Sequence, residues 1–263
     1  MRQARALGVV LLLATSTAAA QDELQAICTD RPTKSTGTCT ADAGHLQIEA
    51  DLASFSELKL DGSRSSTLLV LNPTLKFGLS PRLDVELNGA AYVQMHSHDG
   101  SGNHTVRGSG DLYFNLKQKL YTGAVLEVAL MPLVKAPTAR RALGNGAWEG
   151  GVLLPLVAKL SDEWSLNLSP ELDRMANADG GGHHWNTAQL VNLGRTLAHQ
   201  ITVSAELWAD WDSDPGGGSR QVSFDVGGAW LLSRDLQLDG GVNLGLNRVT
   251  PGVQAYLGLS ERF

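Results

Sequence analysis

Charged residues make up only 18% of this chain of 263, aromatics only 6%, and there are just two cysteines and nine prolines. So few charges exclude coiled coils and long helical arrays, which need charge-rich, glycine-poor sequence. A disordered acidic or basic tail is excluded as well, because 43% hydrophobic residues give ample apolar surface to bury. The net charge of -6, with no basic patch, disfavours nucleic-acid binding. Apolar runs of about 18 residues, which membrane helices require, are also missing. The one near-continuous run, Ala6 to Ala14, is half that length and sits at the extreme N-terminus.

That run has the flanks of an export leader. Arg2 and Arg5 precede it, and Ala18, Ala19 and Ala20 follow it as small residues suited to cleavage before Gln21. Residues 1–20 are therefore read as a signal peptide, and losing Arg2 and Arg5 takes the formal charge from -6 to -8. An exported chain can oxidise its cysteines. Cys28 and Cys39 have ten residues between them, so a disulfide is expected, worth roughly 3 kcal/mol by restricting the unfolded loop. The sharper alternatives, a metal pair or a catalytic thiol, lack support: there is no CxxC, and the nearest histidine is His45.

What the sequence holds in abundance is glycine, 29 residues, and alternation. From residue 44 onward apolar side chains recur with period two, the mark of strands with two unlike faces. Leu236, Leu238, Val242, Leu244 and Leu246 share one face, while Gln237, Asp239 and Asn243 share the other. Twelve such segments can be counted: 44–56, 67–79, 82–95, 108–121, 124–136, 147–160, 163–174, 184–196, 199–212, 220–233, 235–248 and 252–263. Most are long enough to cross a bilayer as tilted strands, which takes about 9 to 11 residues. Tight links such as Ser80-Pro81 and Thr122-Gly123 alternate with longer Gly/Ser/Asp/Asn-rich ones such as His96 to Arg107 and Ala176 to His183. Short turns at one end and long loops at the other characterise bacterial outer-membrane barrels. By parity Trp148, Trp164, Trp211 and Trp230 fall on the apolar face near strand ends, where interfacial girdles form. The expected fold is all-β: a transmembrane, antiparallel, up-and-down β-barrel of about twelve strands over residues 44–263. Residues 21–43 form an N-terminal segment that is either periplasmic or lumen-plugging. Pro73, Pro132, Pro155 and Pro170 fall inside predicted strands, where each removes a ladder hydrogen bond.

Several stretches carry a resemblance to a known family: Cys28-Thr-Asp-Arg-Pro-Thr33, Ala43-Gly-His-Leu-Gln-Ile-Glu49, Gly108-Ser-Gly-Asp111, Leu143-Gly-Asn-Gly146 with Glu149-Gly-Gly151, and Leu236-Gln-Leu-Asp-Gly-Gly-Val-Asn243. From about residue 27 to the C-terminus the chain resembles the phenol meta-pathway degradation family, whose members are often labelled "transporter". The resemblance implies an outer-membrane barrel passing small, aromatic or hydrophobic compounds. It brings no catalytic residues.

The polar faces pooled together would line the lumen with thirteen acids against six bases, Lys76, Lys117, Lys119, Lys135, Lys159 and Arg262. An acidic lumen favours cations and neutral solutes, and Glu86, Asp111, Glu127, Glu171 and Glu206 are the candidate selectivity residues. Interior packing in a narrow barrel, with acids paired to bases, is the blander reading. Arg31 and Lys34 are expected to fold inward and offset part of the acid. Histidines cluster in predicted outer loops (His96, His98, His104; His183, His184), where solvation is the default, so no metal and no cofactor are expected. An enzyme is not expected either. No histidine is followed two positions later by serine, as one-face activation of a hydroxyl would need, and GxSxG is absent. The expected role is a passive outer-membrane channel for small solutes; the alternative is a structural or accessory barrel with a filled lumen. Expected partners are outer-membrane lipid, the solute, and the barrel-assembly machinery, reading the last strand that ends in Phe263.

Overall fold

The computed structural model describes residues 24–198 and 200–263. The expected leader, residues 1–20, lies outside the described residues. In chain order the strands are β1 (Leu46–Leu60), β2 (Ser63–Ser80), β3 (Leu83–Asn88), β4 (Tyr92–Asp99), β5 (Gly102–Gly108), β6 (Leu112–Thr122), β7 (Leu126–Ala136) and β8 (Glu149–Leu153). They continue as β9 (Leu156–Lys159), β10 (Trp164–Ala176), β11 (His183–Ala198), β12 (Ile201–Asp212), β13 (Arg220–Leu231), β14 (Leu236–Gly245) and β15 (Val253–Arg262). Three pairs are single staves interrupted midway, namely β3 with β4, β5 with β6, and β8 with β9. The fifteen strands therefore make twelve staves of one antiparallel sheet. β1 pairs with β2 on one side and β15 on the other, so the sheet closes and has no edge. Closure matters because a sheet edge in hydrocarbon would leave its N–H and C=O groups without partners.

Polarity is inverted relative to a water-soluble core. On β13, Phe224 and Val226 are exposed while Ser223 and Asp225, which alternate with them, are buried. Lys117, Asp84 and Asp225 are 0% exposed, whereas Leu257 on the outside is 67% exposed. Such an exterior is stable only against lipid. Trp164 and Trp230 are exposed near the short-turn end, and Trp148, Trp185 and Trp211 near the other, as two girdles require.

Two expected long loops are corrected. The first and second staves are joined only by Asp61-Gly62, both with positive φ (50° and 81°), and the third and fourth only by Gly100-Ser101. Their strands run on past the girdle as extended hairpins. His96, His98 and His104 therefore lie on paired strands, with Ser97 opposite His104, rather than in a loop. His183 and His184 begin β11, and His184 is buried 2.9 Å from Asp212. Beyond the membrane both faces of a hairpin are wetted, so apolar alternation no longer marks it.

The four strand prolines all sit at irregularities. Pro155 occupies the break between β8 and β9, and Pro170 accepts from the Leu154 N–H of that break at 3.0 Å. Pro73 accepts from Gly89 (3.2 Å), in the break between β3 and β4. Pro132 lies where the β6–β7 ladder skips from Asn115/Leu133 to Gln118/Leu130. Each missing N–H thus falls where the ladder is already interrupted.

Candidate functional site

Inside the barrel lies the segment that precedes it. Ile27 donates its N–H to the Arg234 carbonyl (2.8 Å) at the short-turn end, and Ala41 donates to Asp84 (2.7 Å) as the chain leaves. Between them the Cys28–Cys39 disulfide, Cα atoms 6.0 Å apart, closes a loop that projects into the lumen.

Charges of both signs fasten it. The Asp30 carboxylate contacts the ammonium groups of both Lys76 and Lys117. Lys76 also meets Glu49 at 2.6 Å and Lys117 meets Glu86 at 3.2 Å, so four strands converge on this knot. Burial alone would raise the Asp30 carboxyl, but Lys117 and Lys76 outweigh it and hold it well below the usual carboxylate range. Arg31 pairs with Asp51 (2.8 Å) and Asp239 (2.7 Å). Lys34 reaches Asp225 at 3.1 Å and donates to Ser223 at 2.7 Å, with its ammonium 4.2 Å from the Trp208 ring centroid.

The loop backbone is held too. Lys34 and Ser35 donate their N–H groups to Glu206 at 3.2 and 3.0 Å, and Thr36 C=O accepts from Asn167 (3.1 Å) and Ser169 (2.9 Å). Thr38 donates its hydroxyl to Glu127 at 2.8 Å. Counting Arg262 on β15, whose guanidinium meets Asp42 and the Gln25 carbonyl, eleven of the twelve staves bond to residues 24–42. Two lumen glycines make room: a Cβ on Gly258 would lie 2.0 Å from the Arg31 guanidinium, and one on Gly227 would lie 2.9 Å from Pro32.

Above the loop apex a cavity of about 570 Å³ opens, floored by the loop and walled by strands from both sides of the barrel. The five candidate acids are distributed over these levels. Glu86 belongs to the lysine knot and accepts from Asn115 (3.2 Å), Glu206 grips the apex, and Glu127 holds Thr38 and lies 3.5 Å from Lys159. Asp111 is not on a strand but in the break before β6. There it accepts from Ala139 N–H (2.8 Å) and lies 3.6 Å from Lys135, which also pairs with Glu149 at 2.5 Å. Glu171 lines the cavity itself, beside Asp173 and Asp210. Among the described residues no group of three or more His, Cys, Asp or Glu converges closely enough to hold a metal ion. Asp30, Trp208 and Asn186 escaped the sequence reading of the site. For Asp30 the available signal was a carboxylate between two cysteines, in a segment already expected to face lumen charge.

A closed barrel with apolar exterior, two aromatic girdles and a charged interior is an outer-membrane protein. The model of the family described as "Putative MetA-pathway of phenol degradation" matches residues 29–263, and the chain belongs to that family. Among solved structures it is similar to an outer-membrane channel from Pseudomonas putida F1, with TM-score 0.66, 15% identity, and 89% of this chain and 99% of that one covered. It is also similar to the NanC porin (TM-score 0.52, 8% identity, 82% and 98% covered). The KdgM porin, solved in complex with disordered oligogalacturonate, gives TM-score 0.50 at 10% identity, with 83% and 99% covered. At these identities the likeness is one of fold. No protein of curated function matches the sequence.

Proposed function

We propose that the protein is an outer-membrane channel for passive passage of small solutes, constricted by its own N-terminal loop. The observation that carries this reading is what fills the lumen. The lower half is occupied by a separate segment closed by the Cys28–Cys39 disulfide, while the staves leave a cavity of about 570 Å³ above it. A barrel meant to be solid would fill itself with interdigitating side chains from its own strands. Glu86, Asp111, Glu127, Glu171 and Glu206 act in this reading as selectivity determinants, by charge and by setting where the loop sits. Small aromatic or hydrophobic compounds are the solutes that the family's description suggests. The last strand, ending at the exposed Phe263, serves as the signal to the assembly machinery. Planar-bilayer recording tests the reading: discrete single-channel steps from the intact protein support it.

A second reading has its own support, because a loop bonded to eleven staves is well anchored. A structural barrel with a filled lumen would stay electrically silent even after residues 21–42 are removed.

A further inference from the structure

Most interior charges described above have a partner of opposite sign; Asp84 and Glu206 instead accept backbone N–H groups of the loop, and three carboxylates in the cavity have neither. Glu171 and Asp173 on β10 and Asp210 on β12 line the cavity, and among the described residues none forms an ion pair with a lysine or arginine. The register explains their grouping. Asp173 lies opposite Asn186, and Glu171 lies opposite Ala188, which in turn faces Asp210. Because Ala188 presents only a methyl group, Glu171 and Asp210 flank a gap two strand spacings wide, about 9–10 Å. Asp173 leans over Gly151, where a Cβ would lie 1.7 Å from its Oδ1.

A second, independent feature points into the same gap. Asn186 is only 7% exposed; its Nδ2 donates to Asp210 at 2.8 Å, but its Oδ1 has no hydrogen-bond partner. A buried amide oxygen without a donor, set among carboxylates without bases, is an acceptor cluster that lacks its cation. Apolar and aromatic side chains line the cavity as well, Leu133, Leu153, Met175 and Trp208 among them, beside polar and charged ones that include Lys76 and Lys135. At the cavity floor the chain already places an ammonium on an aromatic face, Lys34 over Trp208.

We propose that this vestibule binds small organic monocations with an apolar body, of the arylalkylamine class. The ammonium's three N–H groups donate to Glu171, Asp210 and the Asn186 Oδ1, beside Asp173, and the body rests against Leu133, Leu153 and Trp208. This deepens the channel reading by naming the solute class its outer chamber selects. A neutral molecule of the same shape would bring no positive charge to the three carboxylates, and a lone hydroxyl could donate to only one acceptor of the cluster. A compact divalent ion suits the site less well, since it needs oxygens drawn to about 2.3–2.6 Å around one point.

The test uses the full chain folded in detergent micelles, with 2-phenylethylamine and its neutral isostere 2-phenylethanol as probes. Calorimetry and tryptophan fluorescence are expected to show the amine bound about tenfold or more tightly than the alcohol. In the double variant Glu171→Gln, Asp210→Asn that preference is expected to vanish. Equal affinities in the unmodified protein, or an unchanged preference in the folded double variant, overturn the proposal. If the double variant fails to fold, judged by heat-dependent gel mobility, the amine–alcohol comparison on the unmodified protein decides. Conductance separates this idea from the one beneath it. Single-channel steps with no amine preference remove the site and keep the channel; amine preference in an electrically silent barrel keeps the site and removes the channel.

Discussion

The lower and upper halves of the lumen are built from the same kinds of residue and put them to opposite use. In the lower half, acids and bases from the staves are cross-linked through the N-terminal loop: Asp30 joins Lys76 to Lys117, Arg31 joins Asp51 to Asp239, and Lys34 covers Asp225. In the upper half, Lys135 pairs with Glu149, but Glu171, Asp173 and Asp210 face open space. The contrast shows that lower-half charges of both signs are met by a segment that is not part of the sheet, Arg31 and Lys34 meeting acids and Asp30 meeting bases. Charge in this interior marks where the loop ends.

The largest break in that contrast is removal of the loop. Deleting residues 21–42 is expected to raise single-channel conductance manyfold in planar bilayers, and an unchanged conductance would count against the loop as the constriction. Next in size is Asp30→Ala, which removes the carboxylate shared by two buried ammonium groups and leaves Lys76 with Glu49 and Lys117 with Glu86. Two charge-assisted hydrogen bonds of loop docking, worth about 1.5–3 kcal/mol each, are at stake, read as a rise in open probability or in protease cleavage of the loop. Replacing both cysteines by serine should cost somewhat less, up to about 3 kcal/mol from a loop of this length. It should shorten closed times without abolishing closure.

Acid provides a finer probe of the same link. Because the Asp30 carboxyl is held low by its two lysines, its contribution to docking is fully present above its unfolded value near 4 and fades as pH falls further, toward the docked value. Closure that survives at pH 5 and weakens only in stronger acid would agree; closure lost between pH 7 and 5 would not. The smallest effect belongs to the rim. The pair Arg248–Asp61 is open to solvent, with side chains 79% and 74% exposed, so Arg248→Ala should leave both conductance and thermal stability unchanged.

The staves were legible in the sequence because lipid on one side and polar groups on the other impose strict alternation. β13 shows it, with Phe224 and Val226 outside and Asp225 inside. Where that pressure ends, legibility ends. Ser63 to Thr67 and the His96–Arg107 hairpin are strands without an apolar face, so nothing in their composition separates them from loop. The breaks at 89–91, 109–111 and 154–155 were hidden for the reverse reason: small residues such as Gly89, Ala91 and Gly110 keep the alternation formally intact while the ladder lapses. Parity alone could nominate Glu86 or Glu206 as interior. It could not tell that Glu206 grips backbone N–H groups of a segment 171 residues away, because such partners are set by where a loop lands in three dimensions.

One residue near the end of the chain ties these threads together. Arg262, on the last strand, contacts Asp42 and the Gln25 carbonyl, which bracket the loop, and Asp235 in the turn before β14. The same strand forms the seam against β1. Stitching the cylinder shut and seating its stopper therefore converge on a single guanidinium. A nascent barrel that has not zipped its last stave has nothing at this position to hold the stopper in place.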